Sequence, residues 1–466
     1  MTTFILLLLR YTLGNLLIFP LYLLSSKIRK RILFEKEYGP KKGDRVSEDI
    51  WFHVSSEGEW EQIWPVVSFF STLVVGQRKL NMTIWFTSTS LKNKVDKILA
   101  QKTQDSRIDT YCLSLLSINP FGPRNILSYK APKLFFMVRY DFFPELMWQG
   151  IRSGKFILLS ATLKGKVDKI RRNPIKKLKA KLRYDCFDHI IASTDHDAHC
   201  FQKLLGVSEN QQSPVEEAMS EKFVGSYDFR HFQIMQRQAE KMNLESTHFQ
   251  DSFESLFKDY SIDKRIILGN FWFHERELFT SEFISDLKDK KILVFIAPHH
   301  LKGEEFENIE HWFEKFTDAG LDTVIWDEIG IHGEGNFILC KLPGLLCEIY
   351  PYFGHAYIGN GFGRSIHSIL EPFWSGAHLY CGPKTHRSTE FDFARAYYET
   401  RGKINPAVIR ELHDFYPLLI NESKEGNHLK PIDSDNLKLL GESIRTQRDG
   451  LLSYYKNFLE KEAQAD

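Results

Sequence analysis

From Ile50 to about Tyr227 the chain alternates apolar runs with helical stretches, and this alternation restricts the fold more than any other feature. Strand-like runs are Ile50 to Val54, Met82 to Thr87, Lys133 to Val138, Phe156 to Ser160 and His189 to Ala192. Stretches such as Leu91 to Lys102 and Ala198 to Leu205 read as helices between them. Such spacing predicts a parallel α/β domain. In the first repeat, Trp51-Phe52-His53-Val54 reads as a strand and breaks into Ser55-Ser56-Glu57-Gly58-Glu59-Trp60. A helix then starts over Glu61 to Val67. A strand, a tight turn and a helix lift a side chain to the carboxyl edge of a parallel sheet. Glu59 is the residue best placed there. Near a helix N-terminus its carboxylate is expected to be ionised and able to accept a proton. The blander reading is that Glu57, Glu59 and Glu61 are first-turn acids that only help a helix begin.

The alternation resumes in the second half with Arg265 to Gly269, Lys291 to Ala297, Asp322 to Trp326, Phe337 to Cys340, Ala356 to Ile358 and His378 to Tyr380. A polar, helical stretch from Gln236 to Asp259 separates the halves, and Asp433 to Glu462 reads as a helical tail. The expected division is 1–31 anchor and basic flank, 32–235 first α/β domain, 236–262 connection, 263–430 second α/β domain and 431–466 tail. Two α/β halves predict a ligand in the cleft between them. With 61 basic and 60 acidic side chains, net charge offers no argument for nucleic-acid binding. The six cysteines form no CxxC or zinc spacing, so they are read as small buried hydrophobes of a reducing compartment, and no structural metal is expected.

Phe4 to Leu24 is apolar over about the ~20 residues that span a bilayer. Lys27, Arg29, Lys30 and Arg31 follow, which orients the rest of the chain to the cytoplasmic side. No basic residue precedes the run and no small-x-small site follows it, against a cleaved signal. Arg10 and Asn15 interrupt it, so an anchor lying in the interface competes with a span. Both readings make the segment a tether rather than core. Between Ala161 and Arg183 lies a basic run in which Asp168 is the single acid. It is either a solvated helix face or a surface for anionic headgroups or a phosphorylated substrate. Beside a tether the second reading is favoured.

Three stretches of the second half carry chemistry: Ala297-Pro298-His299-His300, Leu342-Pro343-Gly344-Leu345-Leu346, and Gly359-Asn360-Gly361-Phe362-Gly363-Arg364 running on to Ser368-Ile369-Leu370-Glu371. The glycines are expected to let backbone approach a charged ligand. A helix opening at Ser365, His367 and Ser368 would offer its N–H groups to an anion. Glu371, one turn in, would accept sugar hydroxyls. For His299 and His300, satisfied strand-end histidines are an equal alternative.

In order, these motifs resemble the 3-deoxy-D-manno-octulosonic acid (Kdo) transferases of lipopolysaccharide assembly. The family's His-Ala-x-Ser-x-Gly-Glu is matched by His53 to Glu59, and its Thr-x-Thr-Gly/Ser by Thr87 to Ser90. Glu-Thr-Glu-Leu-Trp-Pro-Asn-Leu falls on Arg139 to Leu146, Asn-Ala-Arg-Leu on Ser160 to Leu163, and Gly-Asn-Leu-Lys-Phe-Asp on Gly225 to Arg230. Pro-Arg-His-Pro falls on Pro298 to Leu301, Met-Gly-Glu-Leu on Pro343 to Leu346, and Gly-Gly-His-Asn-x-Leu-Glu on Ser365 to Glu371, with Gly382-Pro383 after it. The resemblance implies a GT-B fold of two Rossmann-like domains facing a cleft, with an N-terminal membrane-anchor helix. It implies CMP-Kdo as donor substrate, a lipid A precursor (lipid IVA) as acceptor, inversion at the anomeric carbon, and no cofactor or metal. It places the protein at the cytoplasmic face of the inner membrane. Glu59 is implied as general base with Arg139 and Asp141 beside it. Pro298, His299, Pro343, Gly344, Leu345, Ser368, Ile369, Leu370 and Glu371 are implied to hold the nucleotide sugar. The chain departs from the pattern where the first acid becomes Arg139, a lysine becomes Asp228, the arginine of Pro-Arg-His becomes His299 and an asparagine becomes Ser368. Arg139 or Arg364 is expected to replace the charge lost at 299. Another sugar or acceptor, or a non-catalytic scaffold in lipopolysaccharide assembly, are the alternatives.

Overall fold

The structure, a computed structural model, describes residues 5–7, 9, 11, 13, 20–44, 46–100, 107–114, 125–139, 141–207, 222–242, 256–424 and 434–465. The chain forms two compact units: residues 1–230 with 445–466, and residues 231–444.

The first unit is built on seven strands: β1 (Ile50–Val54), β2 (Met82–Phe86), β3 (Ile108–Cys112), β4 (Leu134–Val138), β5 (Lys155–Ala161), β6 (His189–Ala192) and β7 (Phe223–Ser226). Their order across the sheet is β3-β2-β1-β4-β5-β6-β7, and every pairing is parallel. Every residue of β1, β2 and β4 is buried, as expected of a sheet covered on both faces. Successive side chains of β1 point to opposite faces. Trp51 meets Trp85 and Phe135 edge-on at 5.5 and 5.7 Å, while Phe52 stacks on Phe136 at 5.2 Å. Burying each such ring contributes about 1.5–3 kcal/mol. β3 and β7, absent from the sequence reading, are partly exposed edge strands whose apolar signal is weak.

The helices used below are α1 (Ser26–Tyr38), α2 (Glu57–Ser71), α3 (Pro144–Arg152), α4 (Val167–Arg172), α5 (Pro174–Tyr184), α6 (Arg230–Met242), α7 (Leu370–Trp374) and α8 (Ser434–Ala465). α1 runs through the expected boundary at residue 31. Arg31, read as part of a basic flank, is held inside the first unit. It pairs with Glu35 at 2.7 Å and donates to the carbonyls of Thr87 and of Leu113, the latter at 3.1 Å. Tyr11 donates to Glu145 of α3 at 3.2 Å and accepts from Asn125 at 2.5 Å, so the apolar N-terminal run is in part packed on the domain. Much of that run, with Arg10 and Asn15, lies outside the described residues. Among the described residues no helix is long and apolar enough to cross a membrane.

The basic run forms α4 and α5. On α5, Ala180 and Tyr184 face inward, while Ile175, Leu178 and Leu182 are exposed among the lysines. The last part of α8 belongs to the first unit. Its Tyr455 is buried, meets Phe136 edge-on at 5.3 Å and places its hydroxyl 3.0 Å from His189 Nδ1.

The second unit carries β8 (Arg265–Phe271), β9 (Leu293–Pro298), β10 (Thr323–Trp326), β11 (Ile331–His332), β12 (Phe337–Cys340), β13 (His355–Ile358), β14 (His378–Cys381) and β15 (Ala407–Val408). The order is β11-β10-β12-β9-β8-β13-β14-β15, parallel except for the β10/β11 pair. The stretch expected as a connection begins as α6, and from His231 onward this helix is part of the second unit. Trp374 donates to His231 at 3.0 Å, and Gln238 donates to the carbonyls of Cys347 and Glu371 at 3.1 and 2.9 Å. Residues 243–255 of that stretch lie outside the described residues.

Candidate functional site

In each unit the strand order reverses at the first strand of the sheet: at β1 between β2 and β4, and at β8 between β9 and β13. Such a switch point opens a crevice at the carboxyl ends of the strands. The predicted residues gather at these two edges.

In the first unit β1 ends at Val54 and α2 begins at Glu57, capped by Ser56, whose hydroxyl accepts from Glu59 N at 3.3 Å. Glu59 is only 7 % exposed. Its Oε2 accepts from both the backbone N–H and the hydroxyl of Ser55, each at 2.7 Å. Oε1 accepts nothing among the described residues, which leaves one carboxylate oxygen for a ligand. Burial pushes this carboxyl above the ordinary carboxylate range. The Ser55 hydrogen bonds oppose that shift, the charge of Asp141 adds to it, and Arg139 works against it. The helix-terminus argument considers only a lowering influence; desolvation acts in the opposite direction. Arg139 and Asp141 follow β4, and Thr87, just after β2, donates to Asp141 at 3.3 Å. Arg139 has φ +55°, a left-handed conformation that costs a non-glycine residue about 1–3 kcal/mol. Its Nε is buried without a hydrogen-bond partner. Tyr140, between them, lies outside the described residues. Asp228, where the family pattern has lysine, is buried against Arg230, whose backbone N–H it accepts at 3.0 Å.

In the second unit a cavity of about 360 Å³ opens at the carboxyl ends of β8, β9 and β12. Pro298, His299, Pro343, Gly344, Ser368 and Glu371 line it. Leu345, Ile369 and Leu370 do not: Ile369 and Leu370 are core residues, and the Ile369 N–H donates to Glu390 at 3.0 Å.

The glycine stretch departs from expectation. Turns run to residue 364, residues 365–369 form no regular element, and α7 opens only at Leu370 and is five residues long. Glu371 is therefore its second residue, and no helix begins at Ser365. Two of the glycines lie against protein backbone. A Cβ on Gly359 would lie 2.1 Å from Asn270 O, and one on Gly361 would lie 2.4 Å from Gly382 N.

Three residues of this edge escaped the sequence reading. Asn270, at the end of β8 with φ +54°, lines the cavity beside His299. Arg237 of α6 supplies its guanidinium, bound to Glu348 through Nε at 3.1 Å and Nη2 at 2.9 Å. Arg364, offered as a replacement charge, does not line the cavity. Glu275 is fully buried and accepts from Trp272 N at 2.9 Å, Tyr357 Oη at 2.8 Å and Asn360 N at 2.7 Å. Burial pushes its carboxyl up to about 7, against those three hydrogen bonds. Its only sequence signal is an acid placed just after a strand. Among the described residues no group of His, Cys, Asp and Glu is arranged to hold a metal ion.

Comparison with known proteins adds the following. The chain resembles the crystal structure of UDP-GlcNAc 2-epimerase from Neisseria meningitidis bound to UDP-GlcNAc, with 13 % identity and a TM-score of 0.53, over 87 % of this chain and 100 % of that one. This likeness shows the fold, the two-unit α/β architecture shared with GT-B glycosyltransferases. The C-terminal CMP-Kdo binding domain of WaaA from Acinetobacter baumannii matches 49 % of this chain and 100 % of its own, at 14 % identity and a TM-score of 0.31. No curated protein matches the chain. Residues 26–217, which include Glu59, Arg139 and Asp141, match the model of one family. That model is described as 3-deoxy-D-manno-octulosonic-acid transferase (kdotransferase), and it covers less than half of the chain.

Proposed function

We propose that the protein is an inverting glycosyltransferase that moves Kdo from CMP-Kdo to a lipid A precursor in lipopolysaccharide core assembly. The observation that carries the reading is Glu59. It is a buried carboxyl at a sheet switch point, inside the family match, with both hydrogen bonds on Oε2 and Oε1 unclaimed among the described residues. A carboxylate so placed takes the proton of an acceptor hydroxyl as that oxygen attacks the anomeric carbon. A raised carboxyl pKa strengthens it as a base near neutral pH. Asp141 and Arg139 adjust that basicity from opposite sides. CMP leaves as a phosphate monoester from the second unit's cavity, where Pro298, His299, Pro343, Gly344, Ser368 and Glu371 supply the walls. The reaction as proposed needs no cofactor. The N-terminal apolar run and the cations of α5 hold the enzyme to the cytoplasmic face of the inner membrane, near its lipid acceptor.

Mass spectrometry of a lipid A precursor after incubation with the protein and CMP-Kdo tests this reading. The expected product carries one or more added Kdo masses. An unchanged lipid, with CMP-Kdo intact, would refute the assignment.

A further inference from the structure

One wall of the second unit's cavity is built of rings. His299 stacks on His367 with centroids 4.1 Å apart and planes 27° from parallel, and on Trp272 at 4.9 Å and 21°. His300 meets His299 at a steep angle, 4.5 Å away. Both His299 and His367 line the cavity.

One nitrogen of each ring is left for a ligand. Nδ1 of His299 lies 3.3 Å from Asn270 Oδ1. An amide oxygen only accepts, so Nδ1 carries the hydrogen and neutral Nε2 presents a lone pair. Nε2 of His367 is buried with no partner. Both rings are disfavoured in the charged form. Burial lowers each, His300 lowers both, and His299 further lowers His367, which falls to about 4. Glu390 is the one acid acting on His367, in the opposite direction. On the neighbouring turn, His274 responds to Glu305, Glu277, Arg276 and Lys384. Two further charged groups line the cavity: the Glu371 carboxylate, and the Arg237 guanidinium, which is already bound to Glu348.

A phosphate oxygen cannot bond to the lone pair of a neutral imidazole. It can bond once that nitrogen is protonated, and its own charge then offsets the crowding of the histidines. We propose that His299 and His367 are the phosphate ligands of the donor cavity and that the anion binds with uptake of one proton from solvent. This inference rests on the nucleotide-sugar reading of the cavity. It gives the departure at position 299 a consequence: where the resembled pattern has a permanently charged arginine fork, this chain has a group whose charge arrives with its ligand.

The test is calorimetric titration of CMP into the full-length protein and into His299→Arg between about pH 6 and about pH 8.5, in two buffers of different ionisation enthalpy. The ionisation of CMP itself cancels in the ratio of the two affinities. The expected ratio falls by up to about tenfold per pH unit for the wild type relative to the arginine variant, with about one extra proton taken up by the wild type. His299→Gln, which keeps a polar side chain that does not titrate, is expected to bind weakly with the same pH dependence as the arginine variant. His367→Asn is expected to lower affinity and flatten the slope. A ratio independent of pH, with equal proton uptake, overturns the proposal and leaves the nucleotide pocket standing. Absence of CMP binding to wild type and variants at every pH overturns the pocket reading and the proposal with it.

Discussion

The two units place a buried glutamate near the same kind of sheet edge and use it in opposite ways. Glu275 gives its oxygens to three donors of the fold, one of them the N–H of Asn360 at the head of the glycine turn. Glu59 draws both of its hydrogen bonds from Ser55 and spends them on one oxygen. Both carboxyls are raised by burial. The two acids therefore differ in the number of acceptor sites the protein leaves open rather than in burial or in the direction of the pKa shift. The same contrast extends to their surroundings. The first edge concentrates charge, with Glu59, Asp141 and Arg139. The second is lined with imidazoles, an amide, backbone and the Glu371 carboxylate, and its guanidinium is already bound.

The sharpest way to break the comparison is Glu59→Gln. It preserves the size of the side chain and removes the base. Kdo transfer is expected to fall about 10²- to 10⁴-fold in kcat with CMP affinity unchanged. A variant that keeps wild-type kcat would reduce Glu59 to a helix-start acid, the blander reading of its sequence position.

Glu275→Ala is expected to act on stability rather than on chemistry. Buried donors that lose their acceptor cost about 1–3 kcal/mol each, so a loss of about 3 kcal/mol or more should appear in denaturant unfolding. The pH dependence has a definite sign. The folded state raises this carboxyl from 4.5 to about 7. Its contribution is therefore complete below the unfolded value and lost as pH rises through about 7. The wild type should melt at lower temperature near pH 8 than near pH 5, and Glu275→Gln should flatten that difference. A variant with the wild-type slope would locate the titration elsewhere.

The smallest effects sharpen the first edge. The acid limb of kcat/KM should lie above the ordinary carboxyl value of 4.5, because Glu59 must lose a proton to act. Asp141→Asn removes a charge that raises Glu59 and should move the limb to lower pH. Arg139→Gln removes a charge that lowers it and should move the limb up. Shifts in the same direction for both would contradict the assigned roles.

Much of this was readable from residues in order. β12 at Phe337–Cys340 and β6 at His189–Ala192 have the predicted bounds, because short, fully buried strands read as unbroken apolar runs. Glu59 was singled out because a strand, a small-residue turn and a helix follow one another within a few residues. Pro298, His299 and Glu371, which line the cavity, were singled out through motif order. Arg237, Asn270 and Glu275 were not, since each acts through a tertiary partner that no local pattern announces: Glu348, His299 and Tyr357 respectively. The glycines show the opposite failure. Their spacing suggested a phosphate cradle, but close contact with the backbone of Asn270 and Gly382 is reason enough for Gly359 and Gly361.

The end of α8 has a consequence for how the protein is made. Tyr455, Leu451, Leu452 and Leu459 are buried in the unit whose first strand lies near residue 50, and Tyr455 packs on Phe136. A ribosome that has delivered the whole seven-stranded sheet has not yet delivered the helix that seals part of it. Through the synthesis of more than 200 further residues, Phe136 and His189 await their cover. The first unit is complete only when residues 445 onward emerge, so the second unit is translated inside an unfinished first one.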